Sequence, residues 1–97
     1  MKQPCDLWPL LPGTLITLDR VDNVALYKAP GPVWHGHNLD QMPQTGLVKP
    51  GEVGTVLTCA YTRYNSVVDH DDGYWETLVL FGDRLGWRET SKFRVVT

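Results

Sequence analysis

Short runs of β-branched and apolar residues alternate with turn-forming residues along most of the chain. Residues 13–19 form the first such run, and residues 52–61 form another after a long irregular interval. Runs of this kind, bounded by Gly, Pro, Asn and Asp, are typical of β-strands. The pattern predicts strands in both places and a short extended segment over residues 24–28. Within residues 52–61, Gly54 indicates a β-bulge or a close backbone approach.

The C-terminal third has the most regular pattern. Residues 74–81 are apolar on both faces, as expected of a central strand. Residues 82–84 form a tight connection to another strand at residues 85–89. Residues 90–92 suit a single 3₁₀ turn, and residues 93–97 end the pattern as a last short strand.

Two segments lack any strand periodicity. Residues 1–12 are apolar but interrupted by prolines, and we expect them to lie across the domain as an extended N-terminal arm. Residues 29–48 contain structure-breaking Gly and Pro every few positions. A loop of this length is uncommon in a small domain and is either functional or mobile. The 97 residues therefore predict one domain with a long loop insertion at 29–48.

The pattern contains no long amphipathic helix. It predicts an all-β fold, in which about five short strands form a small, strongly bent antiparallel barrel or sandwich. The predicted core consists of the large apolar side chains of these strands. They are Ile16, Leu18, Val53, Val56, Leu78, Val79, Leu80, Phe81, Trp87, Phe93 and Val95.

Composition and charge exclude several classes of protein. The chain is 42% hydrophobic with a net charge of −2, so it can bury a core and is not a strongly basic nucleic-acid binder. No apolar run is long enough for a transmembrane helix, and prolines interrupt the stretch where a signal sequence would need continuity. Two cysteines, Cys5 and Cys59, are too few for a disulfide framework. We expect a soluble cytoplasmic protein with Cys59 as a buried thiol.

Three segments occur in the order found in SH3-like barrels: KPGEVGTVL (49–57), LVLFGDRLGW (78–87) and ETSKFRVV (89–96). They resemble the second strand with its preceding turn, the third and fourth strands with their tight hairpin, and the 3₁₀ turn with the closing strand. The resemblance implies an SH3-like barrel with an enlarged first loop. The chain is also similar to uncharacterised small proteins of tailed bacteriophages, which implies a phage origin and location in the host cytoplasm.

Proline-peptide-binding SH3 domains are a poorer match. Residues 25–27 (ALY) resemble the start of their ALYDY motif, but Lys28 and Ala29 replace its Asp and Tyr. Phe93 stands where those domains carry a groove-lining Tyr. The usual groove for proline-rich peptides is therefore not expected.

The histidines and Cys59 are the candidates for metal binding and catalysis. His35, His37 and His70 are in predicted loops near several Asp residues, and together they could bind a divalent metal. Such residues are also ordinary turn formers, and no second His-x-His or Cys pair accompanies them. Cys59 lies within a predicted strand, where a buried thiol is commoner than a nucleophile. Because phosphate-loop and catalytic-serine motifs are also missing, we predict no metal, no cofactor and no enzymatic activity.

Aromatic residues outside the regular strands are candidates for binding a partner. Four Trp in 97 residues exceed what a thin core must bury. Exposed aromatic side chains on loops are typical anchors of protein–protein contacts, although the same segments could instead cover the open ends of the barrel. The predicted contact residues are Trp8, Tyr27, Trp34, Leu39 and Met42.

The last part of the chain carries a local excess of positive charge. Residues 83–97 contain four basic and two acidic side chains. Small barrels bind single-stranded nucleic acid with basic and aromatic side chains, but alternating Arg and apolar residues are also typical of a solvated strand face. The candidate nucleic-acid contacts are Tyr61, Arg63, Tyr64, Arg84, Arg88 and Arg94.

Together these patterns predict a non-enzymatic binding or accessory module. It would act through protein–protein contacts, with a partner protein or a second copy of the chain and without a membrane. An exposed edge strand offers another way to add a partner. Nucleic-acid binding through the basic C-terminal strands is the alternative function.

Overall fold

Seven β-strands and one 3₁₀ turn make up the regular structure of the described residues. The structure is a computed structural model and describes residues 10–28, 30, 43–63 and 73–96. Within these ranges there is no α-helix. The strands are β1 (Leu15–Leu18), β2 (Val24–Tyr27), β3 (Gln44–Val48), β4 (Val53–Arg63), β5 (Gly73–Phe81), β6 (Arg84–Glu89) and β7 (Phe93–Val95), and the 3₁₀ turn is Thr90–Lys92.

The predicted all-β fold class is confirmed, but the predicted strand number is too low. β1, β4, β5, β6 and β7 are the five strands expected from the sequence, and the 3₁₀ turn follows β6 as predicted. The extended segment at residues 24–28 contains a sixth strand, β2. A seventh, β3, lies in the C-terminal part of the predicted loop at 29–48. Residues 31–42 of that loop lie outside the described residues.

β3 forms despite the breakers around it because it pairs with β2. Val24 lies opposite Val48, and Leu26 lies opposite Gly46. The glycine is needed for packing, since a Cβ at this position would lie 2.8 Å from Cγ of Arg84. A partner strand and a side chain from a distant part of the chain thus decide the conformation here, and local propensity does not predict it.

All the strands belong to one antiparallel sheet with the order β3-β2-β6-β5-β4-β1-β7. β3 and β7 are the two ends of this order, so backbone pairing does not close the sheet. β1 pairs with both β4 and β7, which brings the early and late parts of the chain together. Among the described residues, no helix is long and apolar enough to cross a bilayer.

Gly54 makes the close approach that the sequence suggests. A Cβ at this position would lie 2.7 Å from carbon atoms of the Phe81 ring. The strand irregularity occurs a little later, where the pairing of β4 with β5 shifts register between Val56 and Thr58. The missing side chain therefore makes room for an aromatic ring of the core, and the bulge is a separate feature of the same strand.

The core lies on one face of the sheet. Phe81 and Phe93 stack there, with ring centroids 5.9 Å apart. The prediction is confirmed for Ile16, Leu18, Val56, Val79, Phe81 and Phe93, which are all buried. Buried residues that the sequence did not place in the core are Leu10, Val24, Leu26, Tyr27 and Val48.

The predicted core assignment is wrong for three residues. Val53, Leu80 and Val95 are exposed, while Leu78 and Trp87 are half-buried. For Val53 and Leu80 the reason is strand alternation, because neighbouring side chains on a strand point to opposite faces. An unbroken apolar run hides that alternation, so only one face of residues 74–81 belongs to the core. Val95 lies opposite buried Ile16, but it is on β7 at the end of the sheet order and stays exposed there.

Two polar contacts attach flanking segments to this core. Leu10, in the predicted N-terminal arm, is buried, and its N–H donates a hydrogen bond to Sγ of Cys59 at 3.2 Å. Cys59 itself is half-buried and packs against the core, whereas it was expected to be buried. The 3₁₀ turn is held by a buried hydroxyl pair, with Oγ1 of Thr77 and Oγ1 of Thr90 2.6 Å apart. Residues 1–9 of the arm lie outside the described residues.

The two valines at the start of β4 allow a matched test of the core. Val56→Ala should lower the free energy of unfolding by about 2 kcal/mol, because Val56 is fully buried and its loss leaves a cavity. Val53→Ala removes the same atoms from an exposed position and should change the free energy of unfolding by no more than about 0.5 kcal/mol. Urea unfolding followed by tryptophan fluorescence measures both values. Equal losses in the two variants would contradict this assignment of faces.

Candidate functional site

The predicted protein-contact residues are only partly described. Tyr27, at the end of β2, is buried, and the guanidinium carbon of Arg88 lies 5.3 Å from the centre of its ring. The tyrosine thus packs inside the fold, in a cation–π contact. Trp8, Trp34, Leu39 and Met42 lie outside the described residues.

The aromatic part of the predicted nucleic-acid surface is at the far end of the β4–β5 hairpin. Tyr61 is exposed, and its ring meets that of Trp75 edge-on, with centroids 5.3 Å apart. Arg63 is the last residue of β4, and its side chain lies outside the described part of the chain, as does Tyr64.

Arg84 is engaged in contacts within the fold. Its Nε donates to the carbonyl oxygen of Phe81 at 2.9 Å, and Nη1 donates to that of Leu47 at 2.7 Å. Nη1 also donates to Oε2 of Glu52 at 2.9 Å, while Nη2 pairs with Oε1 of the same carboxylate. The N–H of Lys49 donates a further hydrogen bond to Oε2, at 2.7 Å. The bidentate contact between Arg84 and Glu52 holds the guanidinium in one orientation.

The other two predicted arginines have different surroundings. Arg88 is buried on β6, and the Glu89 carboxylate lies 3.9 Å from its Nη2. Arg94 is exposed on β7, which is separated from β6 by three strands in the sheet order. The local excess of positive charge in the sequence is therefore divided among a structural contact, a buried site and an exposed edge strand.

The candidate metal and catalytic residues contribute little within the described ranges. No group of three or more His, Cys, Asp or Glu side chains that could hold a metal occurs there. His35, His37 and His70 lie outside those ranges. The thiol of Cys59 bonds to the carbonyl oxygen of Leu10 at 3.3 Å and lies 3.4 Å from Oγ1 of Thr77. Through these contacts, the thiol of Cys59 attaches the segment around Leu10 to the sheet.

A row of exposed apolar side chains crosses four adjacent strands. Leu85 on β6 pairs with Leu80 on β5, which pairs with Thr55 on β4, and Thr55 pairs with Leu15 on β1. Just after β7, the N–H of Val96 donates to the carbonyl oxygen of Leu15 at 2.9 Å, so Val96 continues the row. We call these five residues the apolar row. Its four apolar members are 37% to 50% exposed.

The apolar row lies on the face of the sheet opposite the core. Three row residues, Leu15, Thr55 and Leu80, are each next in sequence to a fully buried residue. These buried neighbours are Ile16, Val56 and Val79. Since successive side chains alternate between faces, the row points outward. Val53, two residues before Thr55 on β4, is exposed on the same face and widens the patch. Exposed apolar patches of this kind are typical of interaction sites.

Sequence reasoning did not find this row. Half of the row can be predicted from the sequence. The two-residue turn between Phe81 and Arg84 fixes the register of the hairpin and sets Leu80 opposite Leu85. The other half depends on the pairing of β1 with β4 and on the backbone contact with Val96, which link residues far apart in the chain. No local pattern carries that information.

Comparison of the chain with family models, with curated proteins and with solved structures found no match. Function must therefore be inferred from the described surfaces. They offer the apolar row on the sheet and a separate group of three cations near the turn after β1, Arg20, Arg88 and Lys92.

The contact between Arg84 and Glu52 makes a prediction about titration. The hydrogen bonds from Arg84, followed by the one from the N–H of Lys49, lower the pKa of Glu52 from 4.5 to about 2. Arg84→Gln should raise this pKa most of the way back, since it removes the largest cause. A carboxyl-carbon NMR titration measures the change, and Arg94→Gln is the charge-matched control that should leave the pKa low.

The same lowered pKa sets the direction of a pH effect on stability. A carboxylate whose folded pKa is below its unfolded value stabilises the fold above the unfolded pKa, and this is lost as pH falls through the folded one. The stability difference between the unmodified protein and Arg84→Gln should therefore be full above about pH 5 and shrink as pH falls toward about 2. A Glu52 that titrates near 4.5 in the unmodified protein would contradict the prediction.

Proposed function

We propose that this protein is a non-enzymatic binding module that acts through protein–protein contact at the apolar row. The observation that carries the proposal is the strand register, which aligns exposed Leu85, Leu80, Leu15 and Val96 on one face, with half-buried Thr55 between Leu80 and Leu15. Removing such a surface from water is favourable by about 25 cal/mol per Å² of apolar area. Isolated exposed leucines are common on proteins, whereas several exposed apolar side chains aligned on one sheet face are less so.

The chemistry of the row favours an apolar, uncharged protein surface as its occupant. None of its five members carries a charge, and the centres of protein interfaces are depleted in charged residues. Arg94 lies beside the row on the same face, because it pairs with Thr17, which also pairs with Val53. A single cation at the margin of the row would meet few phosphates of a nucleic acid. The side chains also project from paired strands, so little conformational freedom is lost when a partner packs against them.

Nucleic-acid binding is the less supported function. It relies on Arg84 and Arg88, and the first is bonded to Glu52 while the second is buried against Tyr27. The Arg84 guanidinium could not move to a phosphate without giving up its present hydrogen bonds, and the buried Arg88 side chain adds little to an exposed surface that a nucleic acid could follow. Exposed Tyr61 and Arg94 remain candidate contacts of this alternative, on β4 and β7.

We also propose that the fold is of the SH3-like barrel type, although backbone pairing leaves the sheet open. The pairings of β1 with β4, β4 with β5, β5 with β6 and β1 with β7 support this, as does the 3₁₀ turn before β7. β2 and β3 form a hairpin between β1 and β4, where the resemblance expects an enlarged first loop. A phage origin rests on the sequence resemblance alone.

A leucine pair tests the proposed contact. The double variant Leu80→Ser with Leu85→Ser should lose a protein partner that the unmodified chain retains from a lysate of its native cells. Leu47→Ser is the matched control, because Leu47 is an equally exposed leucine on β3 outside the row. Capture supports the proposal only where the double variant loses the partner and the control keeps it.

Sedimentation velocity of the purified chain completes this test. Self-association that the double variant abolishes would identify a second copy as the occupant of the row. Urea unfolding of each variant ensures that a lost contact does not reflect a lost fold. Capture of the same proteins by both variants, or a monomer that retains nothing, would argue against contact at the apolar row.

A further inference from the structure

A second surface feature is a pocket where the turn after β1 meets the end of β6. Its volume is about 350 Å³, and it shares no residue with the apolar row. The turn and the start of β2 form one side, and β6 and the 3₁₀ turn form the other. The lining residues are Arg20, Val21, Asp22, Asn23, Val24, Arg88 and Lys92.

The lining of this pocket is strongly cationic for a protein that is acidic overall. Arg20, Arg88 and Lys92 contribute three positive charges and Asp22 one negative charge, which leaves a formal charge of +2 (3 − 1) on the lining. The Glu89 carboxylate, just outside the lining, is 3.9 Å from Nη2 of Arg88 and offsets part of this charge. The three cations come from three separate elements: the β1–β2 turn, β6 and the 3₁₀ turn. The fold therefore gathers like charges that repel one another around an open volume.

Arg88 is the buried member of this group, and it lacks a full set of partners. Its side chain is only 9% exposed, and its Nε finds no hydrogen-bond acceptor among the described residues. The Glu89 carboxylate is 3.9 Å from Nη2, too far for a hydrogen bond. The Tyr27 ring covers one face of the guanidinium. It accepts no hydrogen bond from the N–H groups, which point outward in the guanidinium plane. A buried donor without an acceptor is unusual in native structures and costs free energy.

Lys92 is the partly buried member of the group, and its pKa is lowered. Burial is the largest cause that lowers its pKa, and Arg20 and Arg88 lower it further, while Glu89 acts in the opposite direction. An anion among these side chains would offset the repulsion and would supply acceptors for their N–H groups.

We propose that this pocket binds a phosphate monoester group through Arg20, Arg88 and Lys92. The charge selects this ligand, because a phosphate monoester carries about −1.5 to −2 at pH 7 and so matches a lining of +2. A carboxylate or a phosphodiester, each with one negative charge, would offset less of the charge of the three cations. Two guanidinium groups also fit the geometry of phosphate oxygens. Arg20, Asp22 and Asn23 are exposed, so the group can enter from solvent.

Inorganic phosphate is the first probe, titrated into the full chain at constant ionic strength and followed by NMR. The Nε–H resonance of Arg88 should shift with phosphate and stay in place with equal chloride or acetate, since phosphate alone supplies the dianionic acceptor. This readout needs no mutation of a buried residue. No shift of that resonance at about 10 mM phosphate would overturn the proposal, because even a weak site of this charge would be populated.

Three charge-removing variants locate the site. Arg20→Gln and Lys92→Gln should each weaken phosphate binding by about tenfold, because each removes charged hydrogen bonds to the ligand. Lys28→Gln is the control, as Lys28 is exposed and lies outside the pocket lining. Equal weakening in all three variants would overturn the proposal and attribute binding to net charge alone.

The source of the phosphate group is resolved by comparing ligands. Glycerol phosphate represents a small metabolite, and a phosphoserine peptide represents a modified protein. Tighter binding of either one than of inorganic phosphate identifies the source and supports a monoester site. Tighter binding of a dinucleotide phosphodiester would overturn the choice of a monoester. The apolar-row variants should bind phosphate normally, so failure here is distinct from failure of the proposed protein contact.

Discussion

The guanidinium of Arg84 connects the β5–β6 hairpin to the end of β3 and to the turn that follows it. It donates hydrogen bonds to the carbonyl oxygens of Leu47 on β3 and Phe81 on β5, and it pairs with Glu52 in the turn before β4. Its stem lies over Gly46, where no other residue type would leave room. Because β3 is an end strand paired only with β2, this contact supplies a second attachment to the sheet. Together with the pairing of β2 and β6, the Arg84 side chain thus positions the β2–β3 hairpin, from which Val48 covers the core.

The use of Arg84 in the fold also shapes what the protein can bind. A count of basic residues in the last part of the chain suggests one cationic surface, but the structure assigns each arginine a different role. Arg84 has its acceptors inside the fold, whereas Arg88 is buried with an unpaired donor and Arg94 is exposed. Availability of a charge depends on the acceptors already around it, more than on the number of charges nearby. The sheet face opposite the core carries the apolar row, with Arg94 at its margin.

How much the sequence predicts depends on the range of the interactions involved. β1, β4, β5, β6, β7 and the 3₁₀ turn follow from local patterns of apolar, β-branched and turn-forming residues. β3 does not, because its glycine looks like a breaker until Arg84 is known to lie over it. Leu80 looks like a core residue until strand alternation assigns it to the outer face. The apolar row and the cationic pocket each combine residues from distant segments, so neither could be predicted before the pairing of β1 was known.

The pairing of β1 with β7 has a consequence for how the chain folds. Ile16 lies opposite Val95, and Leu18 lies opposite Phe93, so this ladder joins residues separated by most of the chain. During synthesis on the ribosome, β1 must wait for its second partner until residues 93–95 have emerged. Contacts of such long sequence separation form slowly, since the entropy of closing a large loop is lost before any pairing compensates for it. Until then the nascent protein has an unpaired strand edge beside an incomplete core, which is the stage at which chaperones commonly bind.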